Sequence, residues 1–198
     1  NIKELAPYII DKGVKYLSVF AFSTENFKRT AEEVKYLMDL FVDMFKNECE
    51  KIHEENIKIV FSGRRENLRP DVLEAMDYIV NKTKDNTKGV FNICLNYGGQ
   101  QEIADGTKRI IKDVQDGKLS IDDIDENLLY KYMYNDLPPV DLLIRTSGEE
   151  RISNFMIYSL SYAEMYFPKI CFPDFNAEEF EKAIDLFNTR ERRFGGNK

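Results

Sequence analysis

The chain has 198 residues, 43% of them hydrophobic, with a formal charge of -7 and a pI near 5.0. That length and apolar content suit one buried core, hence a single domain over 1–198, and the acidic balance argues against a general nucleic-acid binder, whose phosphates would be repelled. Cys49, Cys94 and Cys171 are widely spaced with no CxxC pair, which suggests neither a disulfide framework nor a zinc site.

Ile2 to Lys12 reads as the middle of a folded helix, and the first residue is Asn1 rather than methionine, so upstream residues are expected. Tyr16 to Phe22 follows as a strand. A long helix is expected over Ala31 to Glu54, where Val34, Leu37, Met38, Phe41, Met44 and Phe45 keep helical spacing. Such a Met- and Phe-rich stripe is core first and the wall of a lipid tunnel second. Further strands are read at Ile57 to Phe61, Val90 to Asn96 and Asp141 to Arg145, with a weaker one near Met165 to Phe172. Helices fill the gaps at Pro70 to Lys84, Gln100 to Gln115, Ile124 to Tyr132 and Ala177 to Arg193, with Asp122 or Asp125 read as the cap of the helix from Ile124. Strand-length runs alternating with helical ones indicate an α/β fold, a mostly parallel sheet covered by helices. No apolar stretch of about 18 residues and no signal-peptide pattern occurs, so a soluble cytoplasmic protein is expected, with peripheral membrane contact left open.

Polar and glycine-containing segments follow the strands: Ser23 to Phe27, Gly63-Arg-Arg65, Tyr97-Gly-Gly99 and Thr146-Ser-Gly148. In a parallel sheet these share the edge where ligands bind. Arg145 and Arg151 flank the last of them, with Ser153 read as the cap of an amphipathic helix from Phe155 to Tyr162. Strand, loop and helix start form an anion-binding geometry, and two guanidiniums grip phosphate oxygens as forks. Taken alone, the same arginines are equally readable as surface partners of Glu149 and Glu150. Asn26 and Arg29 lead into the long helix, where Arg29 could meet a second phosphate and Asn26 could orient a leaving group or a proton in transit. The plainer reading has Asn26 capping its turn and Arg29 paired with Glu32 or Glu33. Glu164 is an acid in the apolar stretch Ser161 to Phe167 and needs a partner, either an arginine or Mg2+. One unbroken helix from Ser153 would carry it about 16 Å along the axis, too far to share a phosphate with the arginines. The sole histidine, His53, reads as solvated surface, which disfavours histidine-based catalysis.

Taken together, Ala21-Phe-Ser-Thr-Glu-Asn-Phe-Lys-Arg29, Asn92-Ile-Cys-Leu-Asn-Tyr-Gly-Gly99, Asp141-Leu-Leu-Ile-Arg-Thr-Ser-Gly-Glu149, Arg151-Ile-Ser-Asn-Phe155, Tyr162-Ala-Glu164, Phe172-Pro-Asp-Phe-Asn176 and Arg190-Glu-Arg-Arg-Phe-Gly195 closely resemble the cis-prenyltransferases, above all bacterial undecaprenyl diphosphate synthases. The resemblance spans nearly the whole chain in order. It implies a sheet of about six strands, and Mg2+-dependent condensation of isopentenyl diphosphate onto an allylic prenyl diphosphate such as farnesyl diphosphate. The product is a Z-polyprenyl diphosphate, as in the synthesis of the undecaprenyl carrier for cell-wall precursors. By resemblance, Arg145, Arg151 and Ser153 hold isopentenyl diphosphate and Glu164 is linked to the metal. Asn26 and Arg29 act at the allylic diphosphate and the condensation step, with Ser23 close by, and Phe27 stands where a tryptophan is common. Val34 to Phe45 resembles a tunnel wall, and Tyr162 through Phe175 is expected in a homodimer interface.

The chain departs from the family pattern in its first part. An early strand ending in Met-Asp-Gly-Asn, whose aspartate handles Mg2+, and the helix after it are absent, so the domain is expected to lack its first strand, phosphate loop and first helix and to be incomplete for activity as it stands. Glu150 takes a position where some members carry histidine. Three competing readings remain: a non-catalytic partner subunit of a cis-prenyltransferase, an inactive truncated fragment, and an unrelated phosphate-binding α/β protein.

Overall fold

A computed structural model describes residues 2–190, apart from the side chain of Glu48. Helix α1 (Ile2–Asp11) leads into β1 (Tyr16–Ser23), and α2 (Ala31–Asp43) continues through a π-turn at Met44–Glu48 into α3 (Cys49–Glu54). Then come β2 (Ile57–Ser62), α4 (Pro70–Thr83), β3 (Gly89–Tyr97), α5 (Gly99–Gln115), α6 (Glu126–Lys131), β4 (Leu142–Ile144), β5 (Glu164–Tyr166) and α7 (Ala177–Thr189). Local chemistry sets the helix starts. Thr30 and Glu33 close a capping box on α2, Pro70 opens α4, and Asp125 and Asn176 cap α6 and α7.

All strand pairings are parallel. β3 lies between β1 and β2, and β4 pairs with β5 in a separate two-stranded group. Being central, β3 is buried along nearly its whole length, which is why its sequence is almost continuously apolar. Phe91, Ile93 and Leu95 enter one cluster with Met38, Phe41 and Phe45 of the long helix and Val72, Ala75 and Ile79 of α4. Cys94 and Tyr97 enter another with Leu143, Phe155, Met156 and Leu160. A third, smaller cluster joins Leu5 and Ile9 of α1 to Phe180 of α7.

The most deeply buried polar side chain in β3 is Asn92, 1% exposed. Its Nδ2 donates to Ser18 Oγ at 3.1 Å and its Oδ1 accepts from Ser62 Oγ at 2.9 Å, so a single amide stitches all three strands.

Several expectations change. The long helix is continuous but carries the π-turn, and Met165 to Phe172 yields only the short β5 followed by irregular chain and a 3-10 turn at Phe172–Asp174. His53 is half-buried, its Nδ1 3.1 Å from Asn86 Nδ2, because the α3 end packs against the loop before β3. α7 ends at Thr189, and the Glu191 to Gly195 part of the last motif lies outside the described residues. The described residues hold five strands, in two groups.

Candidate active site

The free edges of β1 and β4 face one another across a cavity of about 680 Å³. Its inner wall is apolar, made by Val19, Phe20 and Ala21 of β1, Phe91 and Ile93 of β3, and Phe41 and Met44 of the long helix. Its rim, beyond the C-terminal end of β4, is polar: Arg145, Thr146, Ser147 and Ser153. Phe155 stacks on Phe20 at 4.7 Å and closes one side.

Two backbone ties fix the rim. Ser147 N donates to Ile170 O at 2.7 Å and Gly148 N to Pro168 O at 3.0 Å, pinning the turn after β4 to the chain after β5. Arg145 Nη1 donates to Ser153 Oγ at 2.9 Å and to the carbonyl of Arg151, so one guanidinium gathers the whole loop beneath it. The Arg151 side chain is 63% exposed and turned to the Glu149 carboxylate. Arg145 and Ser153 thus share the cavity rim as expected. Arg151 contributes its backbone there, while its guanidinium holds the surface partner that the plainer reading gave it.

The helix expected after Ser153 does not form. Ser153, Asn154 and Met156 have φ of 46°, 65° and 40°, left-handed values that break an α-helix, and 153–162 is a succession of turns. Ser153 is therefore a rim hydroxyl, not a helix cap. The chain folds back into β5, so Glu164 sits opposite Leu142 at the start of the β4–β5 pair. Arg145 lies past the other end, about 10 Å away along the strand. The Glu164 carboxylate meets Arg190 Nη1 at 2.6 Å, so the arginine partner is the one realised.

After Ser23, the last residue of β1, Thr24–Lys28 forms a 3-10 turn. Asn26 Oδ1 accepts from Ser23 N at 2.9 Å, capping its own turn and leaving its Nδ2 as the face it can offer a ligand. Phe27 packs edge-on against Phe22 at 5.0 Å. Arg29 lies on the far side of Phe27, in a shallow groove with Val34, Lys35 and Arg69, away from Arg145. Glu33, its proposed partner, is taken up by the Thr30 capping box, where the hydrogen bonds from Thr30 hold its carboxyl low.

The loop Gly63 to Arg65 belongs to a second, polar cavity of about 820 Å³ shared with Thr24 and Phe27. Its arginines are already neutralised. Arg64 forms a bidentate pair with Asp105 at 2.7 and 2.8 Å, and Arg65 another with Asp77. The Arg64 guanidinium lowers the Asp105 carboxyl to about 2. Beside it, burial pushes Glu102 up, and its carboxylate is bonded by Tyr97 OH and by Tyr134 N at 3.2 Å.

Gly98 and Gly99 stand where neighbouring chain approaches closely, not where positive φ is needed. Gly98 is extended at φ -158°, but a Cβ there would lie 2.7 Å from Asn154 Nδ2, and one on Gly99 would lie 3.0 Å from Ile157 N. The loop carrying Arg151 and Ser153 is pressed against the start of α5, and the sequence reading missed Asn154, which makes that contact.

The comparisons decide the family. The sequence profile of a family described as "Putative undecaprenyl diphosphate synthase" matches residues 1–195. An isoprenyl transferase of Clostridium perfringens is 45% identical over 199 residues, covering 100% of this chain and 79% of that protein. The chain belongs to the cis-prenyltransferase family. The crystal structure of lavandulyl diphosphate synthase from Lavandula x intermedia with dimethylallyl diphosphate superposes on this cis-prenyltransferase with a TM-score of 0.95 at 30% identity, over 99% of this chain and 85% of the other. A probable undecaprenyl diphosphate synthase from Campylobacter jejuni gives 0.87 at 31%, over 96% and 88%.

Within this cis-prenyltransferase fold, the described residues contain no cluster of three histidine, cysteine or carboxylate side chains. Glu164, the expected metal ligand, is held by Arg190. Among the described residues the donor set does not form a metal centre. No helix among the described residues is long and apolar enough to cross a membrane.

Proposed function

We propose that this cis-prenyltransferase condenses isopentenyl diphosphate onto an allylic prenyl diphosphate, giving a Z-polyprenyl diphosphate. The observation that carries the reading is the two-ended cavity, with Arg145 and Ser153 at its rim and Phe41, Met44, Phe91 and Ile93 within. A diphosphate needs forked cations and hydroxyls, whereas a prenyl tail gains roughly 25 cal/mol for each Å² taken out of water.

Arg145 and Ser153 hold the isopentenyl diphosphate. Arg151 joins them by exchanging Glu149 for phosphate, a swap of one exposed partner for a more highly charged one. Asn26 Nδ2 donates to the allylic headgroup, with Ser23, Phe27 and Arg29 as the further residues of that site. In the reaction the allylic carbon–oxygen bond breaks, a carbon–carbon bond forms and the isopentenyl unit loses a proton, so charge grows on the departing diphosphate. Fixed donors stabilise that charge without reorganising.

The same reading extends to finer points. Mg2+ would enter with the substrate diphosphate, with carboxylates supplied beyond the set described above. Tyr162 and Phe172, 71% and 45% exposed, belong to a homodimer surface. Undecaprenyl diphosphate is the proposed product, made in the cytoplasm and passed to a membrane by peripheral contact.

The test is incorporation of radiolabelled isopentenyl diphosphate by the full-length protein with farnesyl diphosphate, with Mg2+ and with EDTA, alongside sedimentation. Elongated product with Mg2+ and a dimer are expected; no elongation where a known synthase works refutes the reading.

A further inference from the structure

Asn154 is half-buried on the loop between Ser153 and Phe155 and has no assigned role, yet it makes four polar contacts with two separate segments, the start of α5 and the turn after β1. Its carbonyl accepts from Gly99 N at 2.7 Å and its Oδ1 from Gln100 N at 2.9 Å. It therefore satisfies two of the orphan N–H groups at the start of α5, the work usually done by a neighbouring cap residue. Gly98, which precedes α5, has no side chain with which to do so. The Asn154 Nδ2 donates to Gln101 Oε1 at 3.0 Å and to Glu25 Oε1 at 3.1 Å. The amide orientation is dictated by chemistry: Gln100 N–H can only donate and an ionised Glu25 can only accept. A left-handed φ of 65° at Asn154, a conformation asparagine tolerates better than most residues, aims the group inward.

The geometry has a functional consequence. Ser153, immediately before Asn154, carries the hydroxyl that meets Arg145. Glu25, on the other side, immediately precedes Asn26 in the turn after β1. One amide therefore links the loop of the isopentenyl site to the turn of the allylic site and anchors both on the N-terminus of α5. Glu25 is held ionised against the cost of its burial by its own backbone N–H, the Ser23 hydroxyl and the Asn154 amide, so this link is charge-assisted.

We infer that Asn154 is a positioning residue that sets the spacing between the two substrate sites, by capping α5 with its oxygens and bonding Glu25 with its amide nitrogen. This inference rests on the proposed condensation. Asn154→Asp separates the two tasks, because it keeps an oxygen toward Gln100 N while placing a second oxygen against Glu25. Adding Glu25→Gln supplies a donor to that oxygen and restores the link with its polarity reversed.

In the full-length protein, Asn154→Asp should retain the melting temperature more fully than Asn154→Ala, yet raise KM for both diphosphates roughly tenfold, as expected for loss of a charge-assisted bond. The Asn154→Asp/Glu25→Gln pair should recover most of that loss. A purely structural asparagine would show neither the KM change at retained stability nor the rescue. An Asn154→Asp protein with both KM values within about twofold of wild type, or a pair without rescue, overturns the inference. Hydrogen exchange provides a readout independent of turnover: Asn154→Ala should speed exchange at residues 24–28 as well as 99–101, and unchanged exchange at 24–28 refutes the link. An inactive wild type refutes the condensation reading alone, since exchange still tests the link.

Discussion

Replacing Asp105 by asparagine removes a charge while keeping a shape that can still accept hydrogen bonds, so it isolates the electrostatic part of the Arg64–Asp105–Tyr134 network. Asp105 accepts both arms of Arg64 and the Tyr134 hydroxyl at 2.7 Å. With Arg64 as the largest cause, its carboxyl falls from 3.8 to about 2. That difference corresponds to roughly 2 kcal/mol of native-state stability at neutral pH. Because Arg64 remains 35% exposed, solvent screening trims the expectation to about 1 to 2 kcal/mol. The folded-state value lies below the unfolded one, so this stability is present above about pH 3.8 and lost as the pH falls through about 2. Urea unfolding of wild type and Asp105→Asn, followed by circular dichroism at a series of pH values, should therefore show a constant gap near neutrality that narrows below pH 4. A gap that does not change with pH, or none at neutrality, would show that the pair contributes through packing alone and would refute the electrostatic account.

Arg145→Ala should raise KM for isopentenyl diphosphate and lower kcat/KM by roughly 2 to 4 kcal/mol equivalent, because the fork that also orders Ser153 is lost; steady-state kinetics with unchanged values would remove Arg145 from the site. Gly63→Ala should cost about 3 kcal/mol or more, since its Cβ would lie 1.9 Å from the backbone oxygen of Leu95 at a φ of +140°; a melting temperature equal to wild type would contradict that contact. Asn92→Ala should destabilise by about 1 to 3 kcal/mol by removing the amide that bridges Ser18 and Ser62 and leaving the buried Ser62 hydroxyl without its acceptor, and chemical denaturation showing a change below about 1 kcal/mol would mean that water replaces the amide.

Periodicity located the sheet and the long helices because burial there follows local rules. β3 is apolar since both its faces are covered, and α2 shows its stripe since one side meets the core. The turn carrying Arg145 was legible for the same reason: polar residues placed straight after a strand sit at the C-terminal end of a parallel pair. What the sequence hid was tertiary. Phe155, Met156 and Leu160 are buried as a helix would bury them, but Asn154 is drawn to the start of α5 and the backbone turns left-handed around it, which no spacing rule reports. Nor could the chain order reveal that Glu164 would find Arg190, or that Arg29 would fall on the far side of Phe27 from Arg145, because both follow from where short segments end rather than from what they contain.

The cavity draws its polar contacts from the turn beyond β4, while its apolar lining is shared among β1, β3 and the long helix, the last through Phe41 and Met44. Recognition of the charged end and tolerance for the length of the hydrocarbon end are thus written on different parts of the polypeptide. On the proposed function, substitutions at Phe41 and Met44 would change the room left for the hydrocarbon without touching Arg145 or Ser153, so one scaffold could diversify its products without relearning its chemistry.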